Sequence, residues 1–456
     1  MPLYKEENYL VVHPGSEYTL FTYGLRDSLS PPQYRLPSVV YAKGEGEARE
    51  FHGKPVDGFT AVHPIVNGKL VDVDAFNFFL KVILQSVIQA NPIATISSIP
   101  LLLVLPGLSW PKASVELVTK YVVETLEFTA FNVIDVALAA MFGIGSANNA
   151  LVINVGKNNV QIVPVVGYQA IRFASKYLVG VGGNTINQEL ARLLPNLSET
   201  QVEDLKCSGI VEAITDAQAE AFYQAAEQKL HPGRPDEQDD DFDVAKIVTE
   251  DGLENNDTKK VNTELEQNSF VDRDGKKVTV GRERFSATSS LVDALVDPIY
   301  ESLENIPDLE KRQECYDSII LVGSTFKIPG LKQQLLLKLS QKYLVTEPQD
   351  NEKKQNAINS AIAAYQQTDD VEVTDSAHLA QVPHSIRLAK YPEYFSEWKK
   401  LSKIPSKSVW NDVYFLGAQI YAKQIFNSNS NHGKELFIDT DVYEERGPQA
   451  IWDVCV

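Results

Sequence analysis

Two stretches of the chain decide its fold: LVVHPGSEYTLFTYG at residues 10–24 and LVINVGKNNVQIVPVVG at residues 151–167. Each runs from an apolar triplet through a polar residue to a glycine, Gly15 or Gly156, and then into a second apolar run. This pattern predicts two strands joined by a tight turn, where backbone N–H groups can face a phosphate. Two such hairpins far apart in one chain indicate a duplicated fold with a cleft between its halves.

The segment after the first hairpin alternates helix and strand signals. Apolar residues between Phe76 and Ile88 recur at helical spacing, and Asp74 is the predicted N-cap of that helix. A buried strand over 99–105 and a helix over 113–126 follow. This order predicts an α/β protein.

Composition narrows the class of protein. The chain has 456 residues, of which 44% are hydrophobic, and a formal net charge of -19. This charge argues against direct binding to nucleic acid or to an anionic membrane. The cysteines, Cys207, Cys315 and Cys455, lack metal-ligand spacing and predict reduced thiols. We expect no signal peptide, because the N-terminus MPLYKEENYL lacks a basic stretch followed by an apolar core. We expect no membrane span, because prolines interrupt the most apolar stretch, at 93–111.

Several further motifs are similar to those of the actin family. DGKKVTVGRERF (274–285) resembles the strand pair before a large-domain helix of actins, and LVGSTFKIPGL (321–331) resembles their adenosine loop. FLGAQIYAKQIF (415–426) resembles the helix beside their hydrophobic cleft, and YEERGPQAIWDVCV (443–456) resembles their C-terminus. The resemblance implies an actin-like duplicated fold, in which two large domains of two subdomains each flank a central cleft.

The resemblance also implies domain boundaries. The small domain would consist of residues 1–147 and 412–456, and the large domain of residues 148–411. An acidic insertion at 231–267 has few large apolar residues, and we expect it to be disordered. A second insertion is expected at about 347–410.

The cleft lacks residues that nucleotide hydrolysis needs in this family. Actins hold Mg²⁺ through an Asp at the end of the first strand of each hairpin, because Mg²⁺ favours carboxylate and water ligands. His13 and Asn154 stand at those positions. Glu17 replaces a phosphate-binding glycine and would repel a phosphate, and Leu20 replaces a phosphate-pairing Lys.

Other positions leave alternatives open. Lys157 either pairs with a phosphate or is a solvated surface lysine, and Asp135 is either a base or a capping group. Gln161 stands where the family has a His that orients the attacking water, and Asn411 replaces a purine-contacting Lys. On the adenosine side, either a residual pocket for adenine remains, or Gly323 only ends a strand and no pocket remains. We therefore expect no cofactor, no metal and no ATPase activity from a vestigial cleft formed by His13, Gly15, Ser16, Asn154, Gly156, Lys206, Gly323 and Thr325.

A different surface is expected to bind partners. Actins receive amphipathic helices in a hydrophobic groove at the end of the cleft away from the nucleotide, which is a helix-in-groove mode of recognition. By resemblance, the walls of this partner-helix groove would be Phe142, Gly145, Gly167, Tyr168, Ile420, Tyr421 and Gln424. Alternatively, the chain's own C-terminus covers these residues.

Two motifs indicate a branch of the family. DLKCSGIVEAI (204–214) and KYPEYFSEWKK (390–400) resemble the actin-related subunits of chromatin-remodelling complexes. This resemblance implies a nuclear, non-catalytic subunit that binds the basic helicase-SANT-associated helix of the remodeller ATPase. It also implies pairing with a second actin-related protein, of the actin-related protein 7 type, and contact with other subunits of the complex. The alternatives are an active ATPase of the actin, sugar-kinase and heat-shock superfamily, and a filament-forming cytoskeletal actin relative.

Overall fold

The computed structural model describes residues 4–25, 29–91, 99–215, 261–345, 382–402, 408–427 and 436–455. The strands are β1 (Leu10–Pro14), β2 (Tyr18–Tyr23), β3 (Tyr34–Pro37), β4 (Val40–Lys43), β5 (Glu50–His52), β6 (Thr60–Val62), β7 (Ile65–Val66), β8 (Lys69–Leu70), β9 (Leu101–Leu105), β10 (Phe131–Asp135), β11 (Asn149–Val155), β12 (Asn159–Val166), β13 (Gln169–Ala170), β14 (Lys176–Val179), β15 (Asn268–Val271), β16 (Lys277–Val280) and β17 (Ile319–Val322). The helices are α1 (Val73–Ala90), α2 (Lys112–Glu124), α3 (Val136–Ile144), α4 (Gly183–Leu193), α5 (Glu199–Cys207), α6 (Ser289–Glu304), α7 (Leu309–Asp317), α8 (Leu331–Tyr343), α9 (Ser396–Ser402), α10 (Val413–Asn427), α11 (Thr440–Arg446) and α12 (Ile451–Val454).

Two sheets repeat one arrangement. In the first, the strand order is β10-β9-β1-β2-β3, with β1 antiparallel to β2 and parallel to β9. In the second, the order is β13-β12-β11-β17, with β11 antiparallel to β12 and parallel to β17. His13 pairs with Leu20 in the first hairpin, and Asn154 pairs with Gln161 in the second. Both predicted hairpins are confirmed, and the α/β prediction is correct.

The helix after the first hairpin begins earlier than its apolar pattern indicates. Helix α1 starts at Val73, and the Oδ1 atom of Asp72 accepts a hydrogen bond of 2.9 Å from the N–H of Ala75. The prediction that Asp74 is the N-cap is wrong, because the backbone leaves the helical region at Asp72. Helix α1 is long and apolar enough to cross a membrane by composition alone, but its apolar side is buried in the core, as at Phe76 and Ile83.

The acidic insertion ends earlier than predicted. Residues 216–260 lie outside the described residues, whereas the segment after them is firmly held. The guanidinium of Arg284, fully buried, donates hydrogen bonds to the carbonyl oxygens of Asn262 at 2.9 Å and Leu265 at 2.6 Å. Residues 261–267 therefore belong to the folded part of the chain.

The second predicted insertion also contains folded chain. Residues 346–381 lie outside the described residues, but residues 382–402 pack on the rest of the protein. The side chain of Trp398 is fully buried, and its Nε1–H donates a hydrogen bond of 3.1 Å to the carbonyl oxygen of Leu29. This contact fixes the end of the insertion against the first half of the chain.

A pair of helices joins the two sheets. Helices α3 and α10 share one hydrophobic core with Val104 of the first sheet and with Val152 and Ile320 of the second. The helices approach closely where Gly417 of α10 faces Gly143 of α3. A Cβ atom at Gly417 would overlap backbone atoms of α3, so this contact requires glycine.

Replacing Gly417 with Ala should destabilise the protein. In an exposed helix the change would stabilise by about 1 kcal/mol, but here the methyl group forces α3 and α10 apart, and overpacking typically costs about 1–3 kcal/mol. Urea unfolding should show the loss, while Asn427→Ala at the exposed end of α10 should stay within about 0.5 kcal/mol of wild type. Equal stability of Gly417→Ala and wild type would contradict the close helix contact.

Candidate functional site

His13, which by resemblance stands at the predicted first metal position, is held in one tautomer. The Nδ1 atom of His13 lies 2.9 Å from the carbonyl oxygen of Val104. Because a carbonyl oxygen can only accept, Nδ1 carries the proton. Burial lowers the pKa of His13, so the imidazole is neutral at pH 7. Its ring packs edge-on against Tyr414 with 4.6 Å between the ring centroids.

The first hairpin turn packs against the chain itself. A Cβ atom at Gly15 would stand 2.5 Å from the carbonyl oxygen of Tyr18, which explains the glycine. The hydroxyl of Ser16 accepts a hydrogen bond of 2.8 Å from the N–H of Gly68, in the turn between β7 and β8. The Gly-Ser turn is thus joined to a neighbouring turn of the same half.

An ion pair connects the two hairpin turns. The ammonium of Lys157 lies 2.8 Å from the carboxylate of Glu17, and both side chains are about half exposed. Such an exposed pair contributes at most about 1 kcal/mol to stability. The pair matters for phosphate binding, because the only cation of the second turn is already bound to the carboxylate of the first turn. Lys157 is therefore ion-paired, and the prediction of a merely solvated lysine is replaced by this contact.

Neutral hydrogen bonds also cross between the halves. The Nδ2 of Asn158 donates to Oδ1 of Asn67 at 3.0 Å, and the hydroxyl of Tyr177 donates to the carbonyl oxygen of Asn67 at 2.5 Å. The Nε2 of Gln161 donates to the hydroxyl of Ser109 at 3.0 Å. We call these three contacts and the Glu17–Lys157 ion pair the cross-cleft contacts. All of their partners belong to this chain.

The second hairpin turn also accepts hydrogen bonds from the N-terminus of helix α4. The N–H of Gly183 donates to the carbonyl oxygen of Gly156 at 3.0 Å, and the N–H of Asn184 donates to that of Lys157 at 2.7 Å. Helix N-termini offer unpaired N–H groups to anions such as phosphate. In α4 these two donors already have backbone acceptors.

The polar groups on the predicted adenosine side are also bonded to other residues of the chain. The ammonium of Lys206 lies 2.8 Å from the carboxylate of Glu203, and the hydroxyl of Thr325 donates to the carbonyl oxygen of Gly156 at 3.3 Å. Gly323 has a positive φ of 106°, and a Cβ atom there would overlap the backbone of Val155. Close contact with β11 thus explains why residue 323 is a glycine, and no bound ligand is needed to explain it.

Asp135 acts as a helix cap. Its Oδ1 accepts a hydrogen bond of 2.6 Å from the N–H of Ala137, and its Oδ2 accepts one of 3.0 Å from the N–H of Gly107. Burial raises its pKa. Both carboxylate oxygens of Asp135 accept hydrogen bonds from backbone N–H groups. This supports the interpretation as a capping group over that as a base. Asp135 also lines a pocket of about 60 Å³ with Arg172 and Trp452.

The structure brings the aromatic residues of the predicted groove together. The ring of Phe142 lies 5.5 Å from that of Tyr168 and 5.4 Å from that of Tyr421, measured between centroids. Tyr421 is buried and would form the floor of the predicted groove, and Ile420 beside it on α10 is partly exposed.

The remaining residues would form the rim of the predicted groove. Gly145, Gly167 and Gln424 are exposed, although the described chain continues to residue 455. The C-terminal helix α12 lies on the far side of Tyr421: the carbonyl oxygen of Val454 accepts a hydrogen bond of 3.1 Å from Asn132 of β10, and both Asn132 and Cys455 are close to the Tyr421 side chain. The C-terminal segment therefore packs beside Tyr421, while Gly145, Gly167 and Gln424 stay exposed.

Sequence reasoning missed most of the cross-cleft partners. The sequence analysis assigns no role to Asn67, Ser109 or Tyr177, and their contacts join residues 52 to 110 positions apart. No signal in a single sequence reveals such pairs. The opposite charges of Glu17 and Lys157, at matching turns of a duplicated hairpin, are the exception, because the duplication itself implies that the turns face each other.

Comparison of the sequence with known proteins identifies the family. The Actin family profile matches residues 4–365, and the chain belongs to the actin family. Over its whole length the chain is similar to the "SWI/SNF and RSC complexes subunit arp9" of Schizosaccharomyces pombe, with 24% identity over 540 residues and 99% of each chain covered. The resemblance to the actin family, and within it to an actin-related subunit of chromatin-remodelling complexes, is thereby confirmed.

The lowered pKa of His13 predicts a pH dependence of stability. The unfolded chain binds a proton at this residue near pH 6.5, whereas the folded chain binds it only at lower pH. His13 therefore contributes stability above that pH, and this contribution is lost as the pH falls toward the folded pKa.

His13→Gln should remove this part of the pH dependence. Urea unfolding between about pH 8 and pH 5 should show a smaller loss of stability for the variant than for wild type. The exposed His63, replaced by Gln, serves as the control and should follow wild type. Parallel losses in His13→Gln and wild type would contradict a buried, neutral imidazole.

Proposed function

We propose that this chain is a non-catalytic actin-related subunit of a nuclear chromatin-remodelling complex. The observation that carries the proposal is the full-length similarity to a subunit whose name assigns it to the SWI/SNF and RSC complexes. In this role the chain scaffolds or regulates nucleosome remodelling, and so transcription, through binding. It pairs with a second actin-related protein and contacts the remodeller ATPase. The first sheet lies within residues 1–147 and the second within 148–411, which supports these as two domains. The bridge between Phe131 and Ile438 supports adding 412–456 to the first domain.

The polar contacts of the cleft support the absence of ATPase activity. Mg²⁺ needs anionic oxygen ligands, and the strand ends offer the neutral His13 and Asn154. A triphosphate needs cations and free N–H groups, but Lys157 is paired with Glu17 and the first donors of α4 have acceptors. ATP would have to break these contacts and would gain no carboxylate-bound metal in return.

Isothermal titration calorimetry tests the silent cleft. Mg-ATP added to the pure chain should give no binding in the micromolar range, and phosphate release should equal that of buffer. Glu17→Gly removes the carboxylate and restores the glycine of the family, yet should also stay silent, because His13 and Asn154 remain. Micromolar binding by wild type would refute the proposal, and binding by Glu17→Gly alone would assign the block to the ion pair.

The partner-helix groove supports the binding role. Its aromatic floor and glycine rim suit an amphipathic helix, whose apolar side chains follow one face. Its rim also carries negative charge: Asn149 accepts a hydrogen bond from the N–H of Gly167 and donates one to the exposed carboxylate of Glu314. We assign the groove to the basic helicase-SANT-associated helix of the remodeller ATPase.

Affinity purification of the tagged chain tests both parts of this proposal. Wild type should recover a remodeller ATPase and a second actin-related protein, both identified by mass spectrometry. Ile420→Asp places a charge in the groove and should lose the ATPase. Val271→Asp changes an exposed apolar residue of β15, outside the groove, and should recover it. Loss of the ATPase from both variants, or from neither, would contradict the groove assignment.

A further inference from the structure

We propose that Tyr394 is an anchor for the partner helix and extends the partner-helix groove beyond Gly145. The inference rests on the proposed function, since it concerns the same partner. The hydroxyl oxygen of Tyr394 lies 3.7 Å from the point that a Cβ atom at Gly145 would occupy. Gly145 ends α3 one turn after Phe142, so Tyr394 continues the rim of the groove.

The backbone on both sides of Tyr394 is fixed by aromatic contacts. Before it, the ring of Tyr391 stacks on that of Trp410 with 4.8 Å between centroids, and its hydroxyl accepts a hydrogen bond of 3.0 Å from Lys332. After it, Trp398 is fully buried and bonded to the carbonyl oxygen of Leu29. These contacts hold the intervening residues in place.

The side chain of Tyr394 nevertheless points to solvent. It is 74% exposed, while the neighbouring Phe395, 4.6 Å away between centroids, packs against the core. A large aromatic side chain on a fixed backbone loses little conformational entropy on binding. Tyr residues of this kind are enriched among the residues that carry most of the energy of an interface. An exposed tyrosine anchored from both sides therefore fits a binding role.

The carboxylate of Glu314 and the negative charge of the whole chain favour a basic helix, whereas the charges beside Tyr394 are balanced. In the described part of the chain, Glu393 and Glu397 are paired with Lys399 and Lys400, whereas no cation pairs with Glu314 at the opposite rim. The whole chain carries a formal charge of -19. A basic amphipathic helix would place apolar side chains on Phe142 and Tyr394 and a cation near Glu314. Complementary charge of this kind favours the encounter of the partners.

Fluorescence anisotropy with a labelled synthetic peptide of the remodeller ATPase's basic helix tests the anchor. Tyr394→Ala should weaken binding about tenfold or more, the range of an interface anchor, whereas Tyr394→Phe should bind nearly as wild type because the ring remains. Val271→Ala removes an apolar side chain of similar exposure on β15 and should bind as wild type. The melting temperature of each variant should match wild type, because these side chains are exposed.

The outcomes separate this inference from the proposed function. If Ile420→Asp abolishes binding and Tyr394→Ala binds as wild type, the anchor role is refuted and the groove assignment stands. If wild type binds no such peptide, both are refuted. Photo-crosslinking gives a positional readout: Tyr394→p-benzoylphenylalanine should crosslink the peptide, and the same replacement at Val271 should not. Crosslinking at neither position would also refute the anchor.

Discussion

The cross-cleft contacts are the constraint on which the rest of this structure depends. A cleft between two halves of a fold stays closed only if something attracts the halves to each other. Here the chain provides that attraction itself, through the Glu17–Lys157 ion pair and the hydrogen bonds of Asn158, Tyr177 and Gln161. Each hydrogen bond contributes about 1 kcal/mol, so their effect lies in their number and in their position at both hairpins.

Helix α3 connects this closed cleft to the partner-helix groove. Its first turn is capped by Asp135, which also holds the backbone of Gly107. Its last turn carries Phe142, and Gly145 ends it. Nine residues of α-helix span only about 14 Å, and α10 packs along the same helix through Gly417. A rigid element this short transmits the position of the cleft to the groove with little room for bending.

The parts of the fold that follow from local pattern were predictable from the sequence. Both hairpins rest on alternating runs and a turn glycine, and their strands lie where the pattern indicates. The predicted N-cap of α1 is two residues too late. Asp72 and Asp74 are both aspartates, and only their backbone angles show which of them caps the helix. Composition identified polar insertions but could not locate their folded ends.

Those folded ends depend on contacts that sequence distance conceals. Trp398 reaches back 369 positions to Leu29, and Arg284 holds the carbonyl oxygens of a segment about twenty positions before it. The same limit applied to the candidate site. Its residue types were readable, including the absence of carboxylates at His13 and Asn154. The hydrogen-bond partners of Asn158, Tyr177 and Gln161 across the cleft, and the acceptors at the N-terminus of α4, were not readable.

In the proposed function, a silent nucleotide cleft and an occupied partner-helix groove are physically linked. A cleft whose closure depends on a ligand has a groove whose shape varies with that ligand. When the chain's own side chains close the cleft, α3 and α10 stay in one arrangement, and the aromatic floor at Phe142, Tyr168 and Tyr421 is formed in advance. Preorganisation lowers the entropic cost of binding. In the proposed function, the contacts that close the cleft thus also favour constant attachment to a helix, which is what a permanent subunit of a larger assembly requires.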